Sequence, residues 1–245
     1  MRNIKFVLSY DGTDFKGWQT QPDCRTVQET LENAIKEITG EKVHVLGSGR
    51  TDAGVHAVGQ VANFRTSSRL TPDAFLRAVT TKLPEDICIR EASEVDYSFD
   101  SSRHAVRKLY RYIILDSPLK NPFMRKYAFR CKHRLDARKM AEACKAFLGT
   151  HDFHSFETNW PNRNTSIRTI LHISVNRVGE FIWVDIEADG FLYNMVRSIV
   201  GTLIQIGRDR WPVDCVKKIL EAQDRMEAGP TAPPEGLYLM RVSYE

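Results

Sequence analysis

One order of elements occurs twice along this chain, and that repetition constrains the fold more than any other feature. Ile4, Phe6 and Leu8 alternate with polar neighbours, the period of a half-buried strand. Thr26 and Glu29 form a capping box ahead of Leu31, Ala34, Ile35 and Ile38, an apolar stripe at helical spacing that runs to Gly40. Residues 43–46 and 60–64 predict two further strands. Thr71-Pro72 opens a second helix carrying Phe75, Leu76, Val79 and Leu83, and residues 87–89 predict a strand. The first half therefore reads βαββαβ.

Past Asp96 the order returns. Residues 109–115 predict a strand, 136–147 a helix closed by Gly149, and 167–175 a strand with Ile167, Thr169, Leu171, Ile173 and Val175 on one face. Residues 181–186 give the next strand, 192–206 a strongly apolar helix, 212–220 an added helix and 237–242 a closing strand. Two split βαβ units in tandem imply an α+β protein of two ferredoxin-like βαββαβ halves, residues 1–104 and 105–245. In that expectation their mostly antiparallel sheets join around a central cleft, with the helices on the outer face, and the cleft holds the active site.

Between the strands at 43–46 and 60–64 the connection is longer than a hairpin needs, and a loop of about twelve residues in a compact domain is usually functional. It reads Gly47-Ser48-Gly49-Arg50-Thr51-Asp52-Ala53-Gly54-Val55-His56. Glycine permits unusual backbone angles and close approach of a ligand, and Arg50 can keep a nearby carboxylate ionised. Asp52 is thereby the candidate nucleophile or base.

Charge is concentrated elsewhere. From Arg103 to Lys139 stand twelve Lys and Arg against two acids, Asp116 and Asp136, in a chain whose formal net charge is +4, so the remainder is net acidic. A polyanion is the natural partner of such a segment. Tyr110, Tyr112, Phe123, Tyr127 and Phe129 are interleaved with the cations, the combination of planes and charges that holds unpaired nucleic acid. The five cysteines are scattered without a C-x-x-C pair, and His151 and His154 lack a third ligand, which excludes a disulfide framework and predicts no metal site. No signal peptide opens the sequence and no apolar run reaches membrane-spanning length, so the expected location is the cytoplasm.

Five ordered blocks then identify a resemblance that covers essentially the whole chain. They are Ser9-Tyr10-Asp11-Gly12-Thr13-Asp14-Phe15-Lys16-Gly17-Trp18-Gln19, Gly49-Arg50-Thr51-Asp52-Ala53-Gly54-Val55-His56, Arg107-Lys108-Leu109-Tyr110-Arg111-Tyr112, Gly190-Phe191-Leu192-Tyr193-Asn194-Met195-Val196-Arg197, and Ala228-Gly229-Pro230-Thr231-Ala232-Pro233-Pro234 with Gly236-Leu237-Tyr238-Leu239. The chain resembles the tRNA pseudouridine synthase A (TruA) family. The resemblance implies isomerisation of uridine to pseudouridine at positions 38, 39 and 40 of the tRNA anticodon stem-loop, by a homodimer without a cofactor or metal and without a membrane. It maps the essential aspartate onto Asp52, an active-site tyrosine onto Tyr110 and the arginine that pairs with the aspartate onto Arg197. Arg50, Thr51, His56, Arg107, Lys108, Tyr112, Leu192 and Met195 are the expected substrate contacts.

Making pseudouridine breaks the bond from ribose C1′ to uracil N1, turns the base, and joins C1′ to C5. Three routes are open to one carboxylate: addition to C1′, addition to C6, or removal of a proton from C2′. Each needs an ionised aspartate shielded from water, which the Arg197 partner would supply against the cost of burial. Tyr110, on the same strand face as Tyr112 and Ile114, would stack on the uracil and remove the C5 proton. Arg50 would hold the flipped nucleotide or a phosphate. Leu192 and Met195 stand either as the apolar wall beneath the base or as core of their helix. The opening block, with Asp11, Asp14 and Lys16, is an RNA contact or a plain turn. A binding module without catalysis fits the aromatic and basic pattern too, and under it Asp52 is expendable.

Overall fold

The structure, a computed structural model, describes residues 1–158 and 165–245. In chain order the strands are β1 (Arg2–Tyr10), β2 (Leu46–Gly47), β3 (His56–Thr66), β4 (Ile87–Val95), β5 (Arg107–Asp116), β6 (Phe129–Cys131), β7 (Gly149–Asp152), β8 (Ile167–Val178), β9 (Phe181–Ala188) and β10 (Leu237–Ser243). The helices are α1 (Val27–Thr39), α2 (Pro72–Thr80), α3 (Ala137–Cys144), α4 (Met195–Gly207) and α5 (Cys215–Ala222). This is a mixed α+β protein with mostly antiparallel strand pairing, and its residues cluster into two compact units, 1–106 with 238–245, and 107–237.

In the first unit β1 lies between β3 and β4, antiparallel to both. The far edge of β3 is shared: His56 and Ala57 pair in parallel with Tyr238 and Leu239 of β10, and Ala62 and Asn63 pair with the two residues of β2. The strand expected to close the second half of the sequence thus clusters with the first unit. Alternation in β1 buries Ile4, Phe6, Leu8 and Tyr10, and the Phe6 and Phe64 rings meet Phe75 of α2 at 6.5 and 5.6 Å. α1 begins as its capping box predicts, with Thr26 Oγ1 accepting from Glu29 N, worth about 1 kcal/mol, and ends on Gly40 at φ 74°. The strand read at 43–46 shrinks to Leu46–Gly47. Val43 and Val45 are buried as expected, but Val45 N donates to the Glu32 carboxylate of α1 rather than to a neighbouring strand.

In the second unit β9 lies between β5 and β8, β7 extends the β8 edge, and all three pairings are antiparallel. β6 adds a short parallel pairing at the end of β5, from Ile114↔Phe129 to Asp116↔Cys131. Tyr110, Tyr112 and Ile114 share the buried face of β5 as their spacing predicts, with Ile182, Val184 and Ile186 beside them on β9. The face expected for β8 is corrected by a register shift between Ile170 and His172: the odd-numbered pattern fails at its start, leaving Ile167 and Leu171 exposed while Ile170, Ile173 and Val175 are buried. The helix expected to run to Phe147 ends at Cys144, and a 3-10 turn covers Lys145–Phe147. Gly149, at φ 93°, opens β7 instead of closing that helix. α4 begins three residues later than its apolar run, and α5 is displaced to Cys215–Ala222. No helix among the described residues is long and apolar enough to cross a membrane.

Candidate active site

In the first unit the Asp52 loop rests on a cradle made by the opening block. Trp18 N donates to Thr51 O at 3.0 Å, and Gly54 N donates to Phe15 O at 3.3 Å. The chain turns tightly at Asp52, with Val55 N donating to Asp52 O at 3.1 Å and Gly54 at φ 77°, the left-handed angle for which glycine is suited. A Cβ on Gly12 would lie 1.9 Å from Val55 O, so only glycine lets the two loops touch there. Gly12 N donates to His56 Nδ1 at 3.0 Å. Asp11 Oδ1, which accepts from Thr13 N and Oγ1, is 3.2 Å from the same nitrogen. The His56 ring stacks on Tyr238 of β10 at 4.7 Å.

Beneath this loop is a buried polar network. The Tyr10 hydroxyl and Thr51 Oγ1 are 2.8 Å apart; Gln60 Nε2 donates to Gly49 O at 2.9 Å and reaches Tyr10 Oη at 3.5 Å; Ser48 Oγ donates to Gln60 Oε1 at 2.6 Å. Burial pushes the Tyr10 hydroxyl up to about 12, opposed by its bonds to Thr51 and Gln60. Gly49 and Thr51 are therefore held on either side of Arg50, whose own side chain is exposed and makes no ion pair among the described residues. Among the described residues no Arg50 to Asp52 ion pair forms, and the Arg50 side chain lies in solvent. Asp52 is half-buried. A pocket of about 380 Å³ lined by Thr13, Asp14, Phe15, Lys16, Ala53 and Gly54 opens where the two loops meet.

The second unit carries Tyr110 and Arg197. The Tyr110 ring is 8% exposed and meets the Phe191 ring edge-on at 5.0 Å, which brings β5 against the segment leading into α4. Arg197, in the first turn of α4, is clamped: Nε donates to Ala232 O at 2.7 Å, Nη1 donates to Asn194 Oδ1 at 2.8 Å, and Ala232 N returns a bond to Arg197 O at 3.0 Å. Asn194 sits at φ 62°, a left-handed angle that Asn tolerates, and its amide donates to Thr158 Oγ1. Residues 228–234 lie along α4 and β5 through Gly229 N to Thr202 Oγ1 at 2.9 Å and the Tyr112 hydroxyl to Pro233 O at 2.8 Å.

Of the other expected contacts, Arg107 is exposed and Lys108 half-buried, its ammonium pushed down from the usual lysine range by desolvation. Thr51, His56, Tyr112, Leu192 and Met195 are buried at 6% exposure or less. Thr51, His56 and Tyr112 spend their polar atoms inside the protein, and burial raises the Tyr112 hydroxyl well above its ordinary range. These three build the site's frame. Tyr10, Gln60, Asn194 and Ala232 do the same and were missing from the sequence-based set; each but Gln60 stands inside one of the five blocks quoted above.

A family model described as tRNA pseudouridine synthase matches residues 7–102 and 143–245, segments that include Asp52 and Arg197. The chain is 47% identical over 244 residues, 100% of both chains, to the tRNA pseudouridine synthase A of Acetivibrio thermocellus. It is 44% identical over 244 residues, again 100% of both, to that of a Thermoanaerobacter species. With that of a Geobacter species the identity is 45% over 245 residues, 100% of this chain and 99% of the relative. Among solved structures, a Cbf5-Nop10-Gar1 complex aligns with 96% of this chain and 57% of its own at 12% identity and a TM-score of 0.37.

Proposed function

Since the chain belongs to the tRNA pseudouridine synthase family, we propose that it isomerises uridine to pseudouridine at positions 38, 39 and 40 of the tRNA anticodon stem-loop, with Asp52 as nucleophile or base. Tyr110 stacks on the uracil and takes the C5 proton, and Arg197 pairs with Asp52 and holds it charged. In this reading the protein works in the cytoplasm as a homodimer, on two tandem ferredoxin-like halves around a central cleft. Arg50, Arg107 and Lys108 face the tRNA.

The observation that carries the reading is the rigid setting of Asp52. The backbone on both sides is bonded into the opening block and the network under Thr51, and Asp52 itself is half-buried. A fixed backbone around a half-buried acid is what a positioned reactant requires. Arg197 is prepared in the same way, its guanidinium already oriented by Ala232 and Asn194.

The test is tritium release from tRNA labelled at uracil C5, because joining C5 to the sugar expels that hydrogen while N1 takes up another. Wild type should release tritium. Asp52→Asn should release none and should bind tRNA within about threefold of wild type, since phosphate contacts dominate affinity. Tight binding with no release from wild type would favour a binding module instead.

A further inference from the structure

The basic segment contains a loop that the site does not use. Residues 117–135 hold Lys120, Arg125, Lys126, Arg130, Lys132 and Arg134 and no acid. Both ends are tied to one buried carboxylate: Asp116 Oδ1 accepts from Leu135 N at 3.1 Å, and Arg177 Nη2 lies 2.7 Å from Oδ2. The turn inside is organised too, with Asn121 Oδ1 accepting from Phe123 N and Met124 N, Arg125 Nη1 donating to Pro122 O, and Arg130 Nη1 donating to Pro118 O. On this ordered turn Phe123 is 84% exposed, and Leu119 is 74% exposed.

A phenylalanine held in water on a fixed, acid-free, cationic turn needs a covering partner that carries both a flat face and negative charge. A second copy meeting loop to loop would bring six cations against six and repel, whereas RNA supplies bases to stack and phosphates to pair. We propose that this loop is a second RNA contact, in which Phe123 stacks on an unpaired base of the tRNA while the surrounding cations hold its backbone. The loop leaves β5 six residues beyond Tyr110, about 20 Å along an extended strand, and the proposed contact is with a base other than the one being isomerised. The proposal rests on tRNA being the substrate.

The test compares wild type, Phe123→Ala and Phe123→Trp, measuring affinity for full-length tRNA, tritium release and mass by sedimentation. Phe123→Ala should bind about tenfold more weakly with kcat unchanged at saturation, Phe123→Trp should restore affinity, and the mass should be the same for all three. Equal affinity of Phe123→Ala and wild type overturns the proposal. So does a change of mass in Phe123→Ala, which would make the loop a contact between copies. Wild type that binds tRNA but releases no tritium would instead refute the isomerase reading, leaving the Phe123 comparison still readable in the binding data.

Discussion

Replacing Tyr10 with phenylalanine removes one oxygen from beneath the Asp52 loop, and its effect can be worked out at two pH values. At pH 8 the Tyr10 hydroxyl is neutral and bonded to Thr51 Oγ1 at 2.8 Å. Removing it leaves the buried Thr51 hydroxyl short of that partner, which costs about 1.5 kcal/mol. Burial raises the Tyr10 hydroxyl from the ordinary 10 to about 12, so between those values the folded protein keeps a proton that the unfolded chain has lost. The folded state then binds more protons, and stability falls as pH rises: the contribution is full below pH 10 and is lost on approach to pH 12. By pH 11 the loss is about 1.4 kcal/mol. Wild type should therefore exceed Tyr10→Phe by about 1.5 kcal/mol in urea unfolding at pH 8 and by almost nothing at pH 11. The other buried tyrosines and cysteines titrate in both proteins and cancel in the difference. Because Thr51 adjoins Asp52, kcat should fall about tenfold with KM for tRNA unchanged. A stability gap that stays constant from pH 8 to pH 11 would show that Tyr10 is not a neutral buried hydroxyl, and an unchanged kcat would show that the network does not position Asp52.

Three further outcomes follow from the same geometry. In Gly201→Ala the new Cβ would lie 1.7 Å from Pro230 O, so residues 228–232 must lift off α4; the expected loss is about 3 kcal/mol, read as a fall of roughly 9 °C in thermal midpoint, and an unshifted midpoint would contradict that close contact. Arg197→Lys keeps the charge but cannot bond Ala232 O and Asn194 Oδ1 together, so single-turnover isomerisation should slow at least tenfold at unaltered tRNA affinity; full activity would remove Arg197 from the site. Affinity for tRNA should fall with salt on a log–log slope of about −3 or steeper, and one shallower than about −2 would mean too few phosphate contacts for the basic segment to be the footprint.

What could be read from the chain, and what could not, divides along a physical line. Features set by neighbours in sequence were legible: the Thr26 capping box and Gly40 end of α1, and the alternation that buries Tyr110, Tyr112 and Ile114, appear as their spacing predicts. Features decided by distant partners were not. The shift between Ile170 and His172 exposes Leu171 through pairing with β9, the Glu32 carboxylate takes the Val45 N–H that a strand would have used, and β10 pairs with β3, some 180 residues earlier. The short strands β6 and β7 carry too few residues for any period to show.

The same line runs through the candidate site and explains why its frame was harder to see than Asp52 and Arg197. Asp52 and Arg197 are charged residues in small-residue or apolar surroundings, and such residues stand out because burial of charge is costly. Tyr10, Gln60, Asn194 and Ala232 have ordinary identities, and their importance lies in hydrogen bonds that only the folded chain brings together. Ala232 contributes only backbone groups, which other residues possess too, so no reading of side chains would select it. Its position is instead enforced by Gly201 and Gly229, the glycines that let residues 228–232 lie flat on α4. A block of sequence with no titratable residue at all, Gly229-Pro230-Thr231-Ala232-Pro233, thus holds an arginine in place, and substitutions there should change the orientation of Arg197 before they change anything a binding assay detects.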